Sequence, residues 1–218
     1  MQIKMNNVCK KVKGADLLSD ISLTMESGNI YGFVGDNGAG KTVLFKILLG
    51  LMKKTSGSIT INGAELNDLL QDVGFVIERP EYIPYYSAFK NLAVIAAYHK
   101  KADHERIREV LTMFGLDPED KKTVGKYSLG MKQKLALAMA FLEDPAVLIL
   151  DEPLSALDES SVSHAREKIL EAKMQGKLIV VASHYKEDIQ SLCDVVYKMK
   201  AGRIVAECRE EPMNAVNL

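Results

Sequence analysis

The sequence has almost no charge imbalance: 28 Lys and Arg stand against 29 Asp and Glu, a net charge of −1. No run of Lys or Arg exceeds a surface pair such as Lys10-Lys11 or Lys121-Lys122. A strong electrostatic footprint for nucleic acid is therefore excluded, and no nucleic-acid partner is expected. Cysteine is scarce. Cys9, Cys193 and Cys208 are odd in number and lack metal-ligand spacing, which argues for buried or idle thiols in a reducing compartment. Long apolar runs are missing too. The longest, Leu135 to Leu142, falls far short of the roughly 20 residues that span a bilayer. Met1-Gln2-Ile3-Lys4 has no apolar leader character. The expectation is a cytoplasmic chain, unless another molecule holds it at a membrane. No internal repeat or low-complexity stretch is present. What remains is an ordinary globular mix, 47% hydrophobic and 26% charged over 218 residues, enough for one buried core, with or without a subdomain.

Strand and helix signals alternate, the mark of an α/β fold. Ile30 to Val34 is a short apolar run that feeds into glycines. Thr42 to Met52 has helical period, with Leu44, Ile47, Leu48 and Leu51 on one face. Gly57 to Gly63 alternates as a strand and ends in an Asn-Gly turn. Val73 to Ile77 reads as a buried strand. From Glu78 to about Leu142 helical patterns take over: Ala88 to Tyr98, His104 to Phe114, and Gly130 to Leu142. This predicts one domain, with a core over about 1–78 and 144–209 and a helical insert over about 79–143, too small for a typical free-standing domain. Strands resume at Ala146 to Leu150 and Lys177 to Ala182. The helix between them, Glu159 to Met174, has Asp158 as its N-cap and Gly176 as its stop. Val195 to Met199 and Arg203 to Ala206 form a hairpin across Ala201-Gly202, and the tail from Glu210 is expected to fray.

Gly35-Asp36-Asn37-Gly38-Ala39-Gly40-Lys41-Thr42 fits the phosphate-loop pattern G-x-x-x-x-G-K-[ST] at every fixed position. The chemistry needs these residue types. Glycines let the backbone curl so that N–H groups face phosphate oxygens. The helix that starts here adds its N-terminal dipole. Lys41 brings a point charge for the β- and γ-phosphates, and Thr42 a hydroxyl for Mg²⁺. A buried strand before the loop and an amphipathic helix after it supply the context the pattern requires.

Val147-Leu148-Ile149-Leu150-Asp151-Glu152 is an apolar strand that ends in two carboxylates. Continuous apolarity marks a central parallel strand, and ligands bind at the carboxyl ends of such strands. Asp151 is then a candidate for Mg²⁺, and Glu152 for polarising a water against the γ-phosphate.

Tyr127-Ser128-Leu129-Gly130-Met131-Lys132-Gln133 stands about twenty residues before this strand and resembles the signature motif, L-S-G-G-Q, of the ABC (ATP-binding cassette) ATPases. Ser155-Ala156-Leu157-Asp158 resembles the D-loop of that family, and His184 its switch histidine. The resemblance spans roughly Ile3 to Glu207, with the motifs in family order. It implies a P-loop NTPase core, a mainly parallel sheet flanked by helices with antiparallel strands at the N-terminus and a helical subdomain. It implies ATP hydrolysis with ATP and Mg²⁺, by Lys41, Glu152 and His184. It also implies a second ATP-binding subunit whose Ser128 and Gly130, at a helix start, close over the nucleotide held by the phosphate loop of the first. Taken alone, Ser128 is a routine N-cap and His184 a surface histidine. His99, His104 and His164 match no motif and read as solvated.

Four positions depart from the family pattern. Glu78 stands where a glutamine is usual; it retains an oxygen for a metal-bound water but adds negative charge. Leu129 replaces the first signature glycine. Val12 aligns near the aromatic that stacks on adenine, leaving only apolar contact. Val43 follows Thr42, leaving only its N–H for phosphate. Glu78 together with Ser-Leu-Gly-Met-Lys-Gln is similar to the branch that serves bacitracin, lantibiotic-immunity and related exporters, many of which continue into a C-terminal extension that is not expected in this chain. The expected role is the motor of a separate membrane permease, peripheral at the inner face of the cell membrane. Arg79-Pro80-Glu81-Tyr82-Ile83-Pro84-Tyr85-Tyr86 is either a surface that grips that partner or packing for the helical insert. Alternatives are an iron–sulfur assembly type of ABC ATPase and a non-catalytic nucleotide switch.

Overall fold

The computed structural model describes residues 1–78 and 82–209. It contains ten strands among those residues: β1 (Gln2–Val12), β2 (Ala15–Glu26), β3 (Ile30–Val34), β4 (Ser56–Ile61), β5 (Ala64–Glu65), β6 (Val73–Val76), β7 (Val147–Asp151), β8 (Leu178–Ala182), β9 (Val195–Lys200) and β10 (Arg203–Arg209). The helices are α1 (Lys41–Leu48), α2 (Ala88–His99), α3 (His104–Met113), α4 (Leu129–Phe141), α5 (Glu159–Met174) and α6 (Lys186–Leu192). The strands form two sheets. One is antiparallel, in the order β2-β1-β4-β5; the other runs β10-β9-β3-β8-β7-β6, parallel except for the closing β9–β10 hairpin.

The parallel sheet is buried on both faces, and its sequences show why. Along β7, Val147 and Ile149 face one core while Leu148 and Leu150 face the other. Strand β8 divides in the same way, with Leu178 and Val180 opposite Ile179 and Val181. A strand with two apolar environments must be continuously apolar. The antiparallel sheet instead alternates, burying Ile3 and Met5 of β1 and Ile21, Leu23 and Met25 of β2 against the same core as α1. Helices α2 to α5 cover the opposite face. The helical insert therefore shares one continuous core with the sheet. Its run Leu135 to Leu142 is apolar because α4 is buried among helices and sheet, with Leu135, Ala136, Leu137, Ala138, Ala140 and Phe141 all buried. Among the described residues no helix is long and apolar enough to cross a membrane.

Local signals set the element ends. Asn62 and Gly63 both take positive φ and turn β4 into β5, the geometry an Asn-Gly hairpin needs. Asp158 caps α5, accepting from the Ser161 N–H, and its contacts with the Ser160 hydroxyl and then Ser161 hold its carboxyl far below the usual range. Helix α1 is shorter than the periodicity predicts. Gly50 turns at φ +79, where an added Cβ would meet the Asp68 carbonyl at 2.4 Å, and Leu51 is left exposed rather than on the buried face. Of the aromatic segment, Arg79, Pro80 and Glu81 lie outside the described residues. Tyr82 packs on the helical core and Tyr85 is 72% exposed. Buried Asn91 holds the segment, accepting from the Ile83 N–H at 2.7 Å and donating to the Ser87 carbonyl at 2.9 Å.

Strand β6 sits close against α4. A Cβ on Gly74 would stand 1.9 Å from the Ala140 carbonyl oxygen and 2.9 Å from Pro145 Cγ. Backbone cannot yield as a flexible side chain does. Gly74→Ala is therefore expected to destabilise the fold by about 1–3 kcal/mol, read as a lowered midpoint in urea unfolding.

Candidate functional site

Four neighbouring parallel strands, β3, β8, β7 and β6, end at the same edge of the sheet. Beyond their carboxyl ends lie Gly35, Ser183-His184, Asp151-Glu152 and Glu78, which is how residues far apart in sequence come together. A cleft of ≈ 500 Å³ opens there, lined by Asn37 to Val43 of the loop together with Glu78, Asp151 and Glu152.

The loop takes a conformation that demands glycine at two points. Gly35 has φ +156 and its Cβ would meet the Met199 carbonyl at 2.3 Å; Gly40 has φ +106 and would press on Leu18 Cδ2 at 2.8 Å. Helix α1 starts immediately after Gly40, so its first N–H groups, which have no intrahelical acceptor, face the loop's interior. Lys41 is 9% exposed, and its Nζ donates to the Gly35 carbonyl at 2.7 Å and to that of Asp36 at 3.4 Å. The ammonium is thus already inside the loop, held by acceptors that an incoming phosphate would outbid. Asp36, Asn37 and Gly38 are exposed at the loop's crest, and Ala39 is buried beneath it.

The Thr42 hydroxyl donates to Asp151 Oδ2 at 2.6 Å and joins the loop to the end of β7. Burial pushes the Asp151 carboxyl above its ordinary value; the Thr42 hydrogen bond pulls it back and neighbouring Glu152 raises it further. A carboxylate in that position is short of positive charge. Glu152 follows at φ +51, a conformation uncommon for a residue with a side chain, and its carboxylate meets His184 Nδ1 at 2.8 Å. That backbone is held from two directions. Glu152 N–H donates to the Ala182 carbonyl at 2.8 Å, and Gln133 Nε2 donates to the carbonyls of Glu152 and Pro153 at 3.3 and 2.8 Å.

Other expected residues stand apart. Val12 lies at the end of β1, 40% exposed, while Asp16 and Leu17 of the next strand form the cleft wall on that side. Ser128 caps α4, its Oγ accepting from the Met131 N–H at 3.2 Å. Ser128 and Leu129 are exposed and do not line the cleft, and Gly130 sits close to Ala156, where a Cβ would meet its carbonyl at 2.8 Å. Glu78 lines the cleft but is not a bare carboxylate. Lys46 Nζ pairs with it at 2.7 Å. Lys46 belongs to no motif, although its spacing of one turn from Thr42 puts it on the cleft side. The Ala201-Gly202 turn was also missed as a site element. Gly202 N–H donates to the Ala39 carbonyl at 3.0 Å and its carbonyl accepts from Ser19 N–H at 2.8 Å, bracing the loop from outside. No local signal reveals such a brace.

The chain is similar to known proteins over most of its length. The profile of the ABC transporter family matches residues 18–155. The uncharacterized ABC transporter ATP-binding protein YybJ of Bacillus subtilis (strain 168) is 42% identical over 93% of this chain and 94% of its own length. The lantibiotic transport ATP-binding protein SrtF of Streptococcus pyogenes is 34% identical, covering 94% of this chain and 90% of its own. The bacitracin transport ATP-binding protein BcrA of Bacillus licheniformis is 38% identical over 94% of this chain, which spans 69% of BcrA. Among solved structures, an ATP-binding subunit of an ABC transporter superposes with a TM-score of 0.88 at 25% identity, covering 96% of this chain and 90% of the other. The dimeric MJ0796 cassette superposes at 0.86, over 95% and 98% of the two chains, and at 24% identity it bears on fold alone. The chain belongs to the ABC transporter family. Within that family it is an ATP-binding subunit, an ATPase coupled to transport.

The Lys46–Glu78 pair is exposed on the carboxylate side, where the Glu78 side chain has 60% of its surface free. Solvent screens such pairs. A double-mutant cycle of Lys46→Met and Glu78→Gln in urea unfolding is expected to give a coupling below about 1 kcal/mol, so the pair sets local charge rather than fold stability.

Proposed function

We propose that this subunit drives a separate membrane permease that exports a peptide, an antibiotic or a drug, and that it works as a pair of cassettes. The observation that carries the catalytic part is the joined constellation of Lys41, Thr42, Asp151, Glu152 and His184 at one edge of the sheet. The export part is supported by the names of SrtF and BcrA, whose transport roles are with a lantibiotic and with bacitracin.

Magnesium suits the donor set. Thr42 Oγ1 and Asp151 Oδ2 are hard oxygens 2.6 Å apart, and burial leaves Asp151 in need of a cation. A magnesium ion held by one or two protein oxygens draws its other ligands from water and substrate phosphate. Thr42 and Asp151 would hold it, with Glu78 acting through water. When bound, it neutralises charge on the phosphoryl oxygens.

The remaining chemistry belongs to the chain. The loop from Gly35 to Val43 wraps the phosphates with backbone N–H groups, and Lys41 leaves the Gly35 carbonyl for the β- and γ-phosphates. The Glu152 carboxylate accepts a proton from the attacking water, and His184 fixes the direction of that carboxylate and reaches the γ-phosphate. Ser128, Gly130 and the α4 N-terminus act across the pair, on the nucleotide held by the other copy. Ser128 and Leu129 are exposed in a single chain, as such a role requires, while Gly130 lies half-buried beside Ala156. Closing around ATP and opening after hydrolysis moves the attached permease, a population shift that nucleotide controls. The pair sits at the inner face of the membrane through the permease.

Glu152→Gln is expected to retain ATP binding, to cut turnover at least about 100-fold and to trap a dimer on size exclusion with MgATP. A monomer with full turnover would remove Glu152 from the mechanism. Lys41→Ala is expected to abolish MgATP binding measured by titration calorimetry, because the loop then lacks its only buried cation.

A further inference from the structure

The segment that carries His184 is exposed and short, yet the residues beside it are tied to the interior. Ser183 is 1% exposed and Asp188, on α6, is 4% exposed. Ser183 Oγ donates to Asp188 Oδ2 at 2.8 Å and accepts from the Tyr185 N–H at 3.1 Å. Arg166, on α5, closes the chain with an ion pair to Asp188 Oδ1. Arg166 uses one terminal nitrogen for this, and its Nε has no hydrogen-bond partner. The guanidinium thus supplies charge more than fork geometry. A buried carboxylate with that one cation and one hydroxyl is costly to keep, and a stable core does not need it.

We infer that Ser183 and Asp188, anchored by Arg166, are positioning residues that hold the backbone on both sides of His184 and so aim its imidazole at Glu152. The inference rests on the proposed role of His184. Its geometry is a clamp. Ser183 is the residue before His184 and grips the amide of the residue after it, so the clamp spans the histidine itself. The imidazole then has one favoured direction, along which Nδ1 meets Glu152 Oε2 at 2.8 Å. On the other side it lies against the Tyr185 ring, with centroids 4.0 Å apart. Because Arg166 lies on α5, directly downstream of Ser155 to Asp158, the clamp also ties the His184 segment to the helix that those residues lead into. A misaimed imidazole would leave nucleotide binding intact and slow the chemical step.

The test uses Ser183→Ala, Ser183→Thr and Asp188→Asn in the full chain. Ser183→Ala and Asp188→Asn are expected to lower the kcat for ATP by roughly 10- to 100-fold with KM within about twofold, and Ser183→Thr, which keeps the hydroxyl, to recover most of the loss. The chain has four histidines, His99, His104, His164 and His184, so imidazole NMR signals can be assigned by single substitution. In Ser183→Ala only the His184 signal is expected to shift or broaden. Unchanged kcat, an unmoved His184 signal, or loss of activity accompanied by movement of all four signals and a lower melting temperature would each overturn the clamp. His184→Ala with full turnover would instead overturn the role of the histidine, and the NMR response of His184 to Ser183→Ala would still judge the clamp by itself.

Discussion

Burying a parallel sheet on both faces is the constraint from which the rest of this structure follows. Each strand in it must pair all its backbone groups with neighbours and must be apolar on both sides. The inner strands β3, β8 and β7 meet that demand with apolar runs, while edge strand β6 leaves Phe75 exposed; the common direction of all four delivers their carboxyl ends to one edge. Polar residues begin only where the strands stop. Asp151, Ser183 and Glu78 are therefore gathered by the sheet, not by any attraction among themselves, since the two carboxylates would repel each other. The site is where the core runs out.

That edge is held in a state costly to fold. Asp151 is a half-buried carboxylate beside Glu152, Glu152 and Glu78 have positive φ, and Lys41 is inserted among carbonyls. Such features cost of order 1–3 kcal/mol each and persist only where the surroundings over-determine them. Here the surroundings are visible. Gln133 and the Ala182 carbonyl fix Glu152, Lys46 offsets Glu78, and the Ala201-Gly202 turn braces the phosphate loop. The exposed Ser128-Leu129 helix start lies away from the cleft, and Ser128 there caps α4 of its own chain.

Much of the fold was legible because period and punctuation coincide. The strands from Ile30, Val147 and Leu178 were readable as apolar runs of strand length, and α5 from its Asp158 cap and Gly176 stop. Strands β1 and β2 were harder. Their alternation is broken by Asn6-Asn7 and by register shifts between Met5 and Lys11, so no clean period emerges, and only the family resemblance implied antiparallel strands there. Leu51 was placed on the buried face because periodicity does not register that Gly50 has already ended the helix. In the site, the phosphate loop and the Asp151-Glu152 pair were legible because their chemistry is local. Asp16, Leu17, Gln133, Lys46 and Gly202 were not, because each acts through a contact distant in sequence.

The sequence by itself determined which chemistry is present: a loop that fits phosphate, two carboxylates after an apolar strand, a serine that starts a helix, a histidine after another strand. Those are patterns of neighbours, set by φ preferences and side-chain type. Only the tertiary structure decided how they combine. It joined Thr42 to Asp151 and His184 to Glu152, paired Glu78 with Lys46, and left Val12 outside a cleft that Asp16 and Leu17 line instead. The reason is physical. Which strand lies beside which is settled by the packing of the whole apolar core, and strand order sets every distance across the site.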